Sequence, residues 1–245
     1  MLRGKKIAVT MPAYYAGKTV QRMWDTLPRD VIDHAIFVDD ASKDDGFAKA
    51  QALGLTAYQN PTNLNYGGNV KRCLQLALET DADIIVLLHP DCQYDPALVP
   101  AMAAMLTHTP YDLCLASRTS GSGTLGRGMP LWKYLPNRLI TALMGACLGI
   151  RHTEFHTGYR AYTRRALETI PFHTLADNFI FDNEALIACL KANLKTCEIT
   201  CPTIYEPDSS SIPLSKSIRY ALQCLRLSAA YLKYRLTTPA PHSPT

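Results

Sequence analysis

The chain carries little that would serve redox, zinc or phosphate-loop chemistry. Its eight cysteines include no CxxC pair, so neither a zinc ribbon nor a thioredoxin-like dithiol is expected. They are scattered through apolar stretches and read as small buried hydrophobes in a reducing compartment. The first strand-to-helix turn, TMPAYYAGKTV, has neither GxGxxG nor GxxxxGK[ST], which disfavours a dinucleotide site and a P-loop there. It also lacks the glycine-rich loop with Arg and Lys that a nucleotidyltransferase would use. The formal net charge is only +4, and no nucleic-acid-binding signature accompanies it, so no nucleic-acid partner is expected. The longest apolar run, LITALMGACLGI at 139–150, is too short to span a bilayer. The opening MLRGKKIAVTMP contains no long apolar region, so no signal peptide is expected. A cytoplasmic protein follows, in solution or peripheral on the cytoplasmic membrane face.

What is present is a core. The 245 residues are 47% hydrophobic, enough for one large domain over residues 1–236, with 237–245 a disordered proline-rich tail. Strands are expected at KIAVTMP, HAIFVDD, LTAYQN, ADIIVLLHP and YDLCLASR, alternating with helices over 17–27, DDGFAKAQALG, 67–79 and 96–107. Such alternation predicts an α/β fold with a mostly parallel sheet covered by helices on both faces. Beyond it come a helix over 132–149, a strand at GYRAYTR, a helix over 182–193, a strand at KTCEITCPTIYE and a long helix over 215–236. The segments at 119–130 and PDSSSIPLS read as loops. In an open α/β sheet ligands sit beyond the carboxyl ends of the strands. Those ends carry MPAYY, VDDAS, HPDCQYD and ASR, which would converge on one crevice.

Pro12, Ala13 and Tyr14 read as an open turn in which Tyr14 can stack on or edge a base. Asp39 and Asp40 end their strand pointing in opposite directions. One can accept hydrogen bonds from a ribose or base, while the other caps the next turn, as Ser42 can.

The stretches VTMPAYYAGKTV, IFVDDASKDDG, NPTNLNYGGNVKRCLQLAL and VLLHPDCQYDP together resemble family 2 glycosyltransferases of the GT-A fold. The resemblance continues through FHTGYRAYTRRALETIPF, FIFDNEAL and ITCPTIYEPDSSSI, covering most of residues 5–226. It is similar above all to the dolichol- and polyprenol-phosphate sugar transferases and their relatives without membrane spans. The resemblance implies a nucleotide-binding half at 1–118, an acceptor-side half at 119–236, a nucleotide-sugar donor and an acceptor that is a glycan or a polyprenyl phosphate. It implies donor contacts from Pro12, Ala13, Tyr14, Asp39, Asp40, Asn69 and Lys71.

The family's metal motif is two acids flanking one residue. Asp91 matches the second acid, His89 stands where the first usually does, and Gln93 matches a glutamine that can approach the metal. A departing nucleoside diphosphate gathers negative charge, which Mg²⁺ or Mn²⁺ can offset. Hard cations prefer oxygen, so Asp91 is the best ligand; a histidine suits Mn²⁺ better than Mg²⁺. His89 could instead bond a phosphate or reach Asp91. Asp95, before Pro96, reads as a helix cap.

On the acceptor side, Arg118 can hold a phosphate, with Arg127 a weaker candidate. Gly158 in HTGYRAY would let backbone approach the sugar, and Arg160 either contacts ligand or pairs with an acid. Asp182, near Glu184, is the expected base that deprotonates an acceptor hydroxyl, with helix capping as its alternative. A lipid-phosphate acceptor is already ionised and needs no base, so an acid here leans toward a hydroxyl acceptor. Lys216 would add positive charge to the diphosphate. Residues 216–235 hold five basic residues, three tyrosines and no acid, which suits either anionic lipid or a core helix with a basic outer face. Two rivals stay open: a non-catalytic sugar-nucleotide binder, and a scaffold docked on membranes.

Overall fold

The computed structural model describes residues 1–121, 131–202 and 214–238, with side chains at 131–133 and 214–216 left out. Arg127, the Lys216 side chain, most of both expected loops and the end of the tail lie outside the described residues. Strands β1 (Ile7–Ala13), β2 (His34–Asp39), β3 (Thr56–Gln59), β4 (Ile84–Leu87), β5 (Leu113–Ser117), β6 (Arg160–Thr163) and β7 (Thr196–Thr200) form one sheet in the order β3-β2-β1-β4-β6-β5-β7. Every pairing is parallel except those of β6, which is antiparallel to both β4 and β5.

The strand alternation divides the core into two layers. On β4, Ile85 and Leu87 face the layer built with α3 (Asn65–Leu78) and α7 (Phe181–Lys191). Ile84 and Val86, with Leu88 just past the strand, face the layer built with α1 (Val20–Thr26) and α4 (Val99–His108). The remaining helices are α2 (Gly46–Ala52), α5 (Leu131–Leu148), α6 (Arg164–Thr169) and α8 (Leu214–Thr237). The short α6, under two turns, leaves no periodic trace to read; Thr163 caps it by accepting from Ala166 N–H at 3.1 Å. All eight cysteines are free, and six of them are buried.

The first turn differs from expectation. β1 continues through Pro12 and Ala13, paired with Val38 and Asp39, so the turn begins only at Tyr14. The β1–β4 register ends at Thr10 and Leu87, so β4 has left the sheet before Pro12. The proline's missing N–H therefore interrupts no ladder on that side.

A buried polar clasp joins β1, β2 and α3. Asp40 Oδ1 accepts from Asn60 Nδ2 at 2.9 Å and from Leu64 N–H at 2.8 Å. Asn60 also donates to Asn69 Oδ1 at 3.0 Å, and Asn69 Nδ2 donates to Val38 O at 3.1 Å and Ala13 O at 3.4 Å. Asn69 is thus placed beneath the crevice as a strut between helix and strands. Asn69→Ala should cost about 2–3 kcal/mol by leaving buried acceptors unpaired. Urea unfolding should show a lower midpoint with an unchanged slope.

Candidate active site

β6 runs against its neighbours, so its start lies at their carboxyl ends. Its register pairs Arg160 with Leu87 at the end of β4 and with Leu115 in β5. This delivers Gly158 and Arg160 to the crevice where His89 leaves β4. A Cβ on Gly158 would stand 2.5 Å from His89 Nε2 and 2.7 Å from the Tyr66 hydroxyl. The glycine makes room for those two side chains to meet.

They meet as part of a chain. Tyr66, at the start of α3, donates its hydroxyl proton to Asp182 Oδ2 at 2.7 Å, and His89 Nε2 lies 3.2 Å from the same hydroxyl oxygen. Burial of the ring, then the Asp182 carboxylate, push the Tyr66 phenol well above its usual pKa, so it stays a donor. Its one proton is given to Asp182. His89 Nε2 is then the donor to that oxygen. His89 thus reaches toward Asp182 through Tyr66. The ring of Tyr66 stacks on Phe179 at 4.8 Å, and Phe179 is 44% exposed.

Asp182 is only 5% exposed and makes no capping bond at the start of α7. Its Oδ1 is buried with no hydrogen-bond partner, 3.8 Å from Arg160 Nε. Arg160 is fully buried and donates to Thr157 O, Phe155 O and Asp182 O. Of its two readings, the pairing with an acid is the one observed. Glu184 turns away and accepts from Ala176 N–H at 2.7 Å.

The two aspartates do not divide the expected roles: Asp40 is held by the clasp, and Asp39 makes the bond to the next turn. Asp39 Oδ2 accepts from Ser42 N–H at 2.9 Å and Gln59 Nε2 at 3.0 Å, whereas Asp39 Oδ1 is buried and unpartnered. Tyr14 and Tyr15 are exposed and meet edge to face at 4.6 Å.

Two cations expected at the ligand are occupied within the chain. Arg118 forks onto Glu154 through Nε at 2.8 Å and Nη2, while its N–H donates to the second carboxylate oxygen at 2.7 Å. Burial opposes ionisation of Glu154, but the Arg118 guanidinium outweighs it and holds the carboxyl below its usual range. Lys71 Nζ bonds Asp177 Oδ1 at 2.5 Å and Leu175 O at 2.8 Å, so it fastens the 175–177 loop to α3. Gly67 permits that approach: a Cβ there would lie 2.3 Å from Ala176 O. Glu154, Tyr66 and Phe179 were missed in the sequence. Tyr66 lay inside the NYGGN segment, but no spacing rule relates it to a partner 116 positions on.

Asp91 is half-buried, and its Oδ1 accepts from Gln93 N–H at 3.1 Å. Among the described residues no group of three or more His, Cys, Asp or Glu could hold a metal ion. The donor set fits a cation shared with a bound diphosphate, since Mg²⁺ commonly takes one or two carboxylates and completes its shell with phosphate and water. It does not fit a cation held by protein alone. Asp95 does cap, accepting from Ala97 N–H at 2.9 Å.

This sheet, with one antiparallel strand and a polar crevice at its carboxyl end, is the GT-A architecture. Glucosyl-3-phosphoglycerate synthase from Mycobacterium tuberculosis in complex with UDP matches it at TM-score 0.69 and 19% identity, over 94% of this chain and 81% of that one. Its complex with Mn²⁺, UDP and phosphoglyceric acid matches at 0.69 over 94% and 79%. The description of glycosyl transferase family 2 matches residues 8–171, and the chain belongs to that family and is a glycosyltransferase. It is 27% identical to UDP-N-acetylglucosamine–dolichyl-phosphate N-acetylglucosaminyltransferase of Methanococcus voltae, over 91% of this chain and 97% of that one. An uncharacterised protein of Methanocaldococcus jannaschii is 28% identical over 84% of each chain. No described helix is long and apolar enough to cross a membrane.

Gly158→Ala should push His89 and Tyr66 apart and lower turnover about tenfold or more, since small misplacements of reacting groups are costly. Steady-state rates beside an unchanged circular dichroism spectrum would check it. A second expectation concerns pH. Burial pushes His152 and His156 down to about 4. Unfolded imidazoles protonate near about 6.5, so between about 6.5 and 4 the unfolded state binds more protons. Stability should be full above that window and fall as pH drops through it. Urea midpoints near pH 7 and near pH 5 would show the loss, with a shallower dependence in His156→Gln.

Proposed function

We propose that this enzyme transfers a sugar from a nucleoside-diphosphate donor to an acceptor hydroxyl, with inversion. The observation that carries the reading is a pair of buried, unpartnered carboxylate oxygens, Asp39 Oδ1 and Asp182 Oδ1, at one end of one sheet. Buried acceptors left without donors are rare, and both are where a ligand would supply the missing proton. Asp39 Oδ1 accepts from the base or ribose, beside the exposed rings of Tyr14 and Tyr15. Asp182 Oδ1 accepts the proton of the attacking hydroxyl. As that O–H bond breaks, the oxygen bonds to the anomeric carbon, and the bond to the leaving diphosphate breaks with its electron pair. Inversion rests on the family resemblance.

The chain prepares Asp182 for this. The Tyr66 hydroxyl fixes Oδ2, so Oδ1 is the oxygen left to take a proton. Arg160 stabilises the carboxylate from behind without hydrogen-bonding that oxygen. Oδ1 is closed to water, so productive binding has to open a path to it. Asp91, with Gln93 and His89 of the same stretch, would hold Mg²⁺ or Mn²⁺ together with the donor. That cation would offset charge on the leaving diphosphate. Arg118 supports this end of the site through Glu154, and phosphate contact from it would require sharing that partner. The Lys216 contact with the diphosphate stays part of the proposal.

Calorimetric titration with UDP- and GDP-hexoses, with and without Mn²⁺, should show metal-dependent binding of one nucleotide class, lost in Asp91→Ala. Asp182→Asn should keep donor binding and lose about 10²–10⁴ in kcat. Folded protein that binds no donor would overturn the donor site, and full activity in Asp182→Asn would overturn the base.

A further inference from the structure

Helices α5 and α8 pack along one another. Arg235 Nη1 donates to Cys147 O at 3.0 Å, joining the last turn of each helix, so they run in the same direction. Their shared faces are core: Met144 and Leu148 from α5, Cys224 and Tyr231 from α8. Their outer faces are different from the rest of the surface. Leu135, Leu139 and Leu143 are 62%, 62% and 46% exposed at a spacing of four residues, which places them in one row along α5. On α8, Ile218 and Leu222 are 56% and 50% exposed at the same spacing. Every exposed leucine or isoleucine among the described residues lies on these two helices. Such grouping of large apolar side chains marks an interaction surface.

The charge around it has one sign. Neither 131–151 nor 214–238 contains an Asp or Glu. Arg219, Arg226 and Lys233 are exposed on α8. We propose that the outer faces of α5 and α8 form one docking surface for an anionic lipid bilayer. The leucines and isoleucine enter the boundary between headgroups and acyl chains, and the three cations meet lipid phosphates. A second copy of the chain is the poorer occupant. A two-fold contact through this face would oppose Arg219, Arg226 and Lys233 to their own counterparts, with no acid to pair them. A bilayer supplies both the anions and the apolar layer.

The surface is tied to the crevice. Tyr220, from the inner side of α8, accepts from Asn183 Nδ2 at 2.6 Å, and Asn183 is the residue after Asp182. Docking would hold the acceptor side of the crevice near the membrane, which favours an acceptor carried on lipid. That last step rests on the transferase reading; the docking itself does not.

The test is co-sedimentation of the full chain with phosphatidylcholine vesicles, with and without phosphatidylglycerol. Binding is expected to the anionic vesicles alone and to weaken with salt. Leu135→Ser/Leu139→Ser/Leu143→Ser should weaken it about tenfold or more, and so should Arg219→Gln/Arg226→Gln. Both variants should keep calorimetric donor binding, which also verifies that they fold. No binding to anionic vesicles, or equal binding by both variants, would overturn the proposal. So would a wild-type dimer in sedimentation velocity that the leucine variant converts to monomer. Vesicle binding without donor binding would leave the docking surface standing and remove the proposed donor site.

Discussion

One strand running the wrong way organises the crevice. Were β6 parallel, its start would lie at the far edge of the sheet, and Gly158 and Arg160 with it. Antiparallel insertion between β4 and β5 brings both to the end where β4 releases His89. There the absence of a side chain at Gly158 admits His89 and Tyr66, and the guanidinium of Arg160 sits behind Asp182. Tyr66 comes from α3, His89 from the end of β4 and Asp182 from α7. Three separate elements therefore share one hydrogen-bonded chain, and the strand direction is what lets them.

Around that chain, most polar groups already have partners. Asp40, Asn60 and Asn69 hold α3 against the first two strands, Glu154 matches Arg118, and Lys71 fastens a loop. Each is a charged or polar residue at the mouth of a sheet, and each is spent on the scaffold. A satisfied buried polar network of this kind rigidifies the site. Against that background, Oδ1 of Asp39 and Oδ1 of Asp182 are the buried carboxylate oxygens among the described residues that keep no partner.

The strands and most helices were legible because each is a local pattern. The apolar run of ADIIVLLHP and the spacing of Val70, Cys73, Leu74 and Ala77 needed no knowledge of the rest of the chain. The motifs placed Asp39, Asp91 and Asp182 at one end of the sheet, and the structure places them there. What could not be read was pairing. Glu154, 36 residues away, was not visible as the partner of Arg118. Pro12 and Ala13 seemed to belong to the turn that begins only at Tyr14, because only the register with β4 shows how the strand tolerates that proline.

The outer helices show the same division. The sequence determined that 216–235 is basic and without acid, since that is composition. Only packing decided that α5 lies beside α8 with its leucines turned outward, because which helix face is covered depends on what it meets. The sequence by itself determined the sheet, its helices, the family and the acids at the strand ends, all carried by short-range order. Tertiary structure decided which of those charges are neutralised by distant partners and which keep an unpaired oxygen. Hydrogen bonds between groups far apart in the chain leave no periodic trace in it.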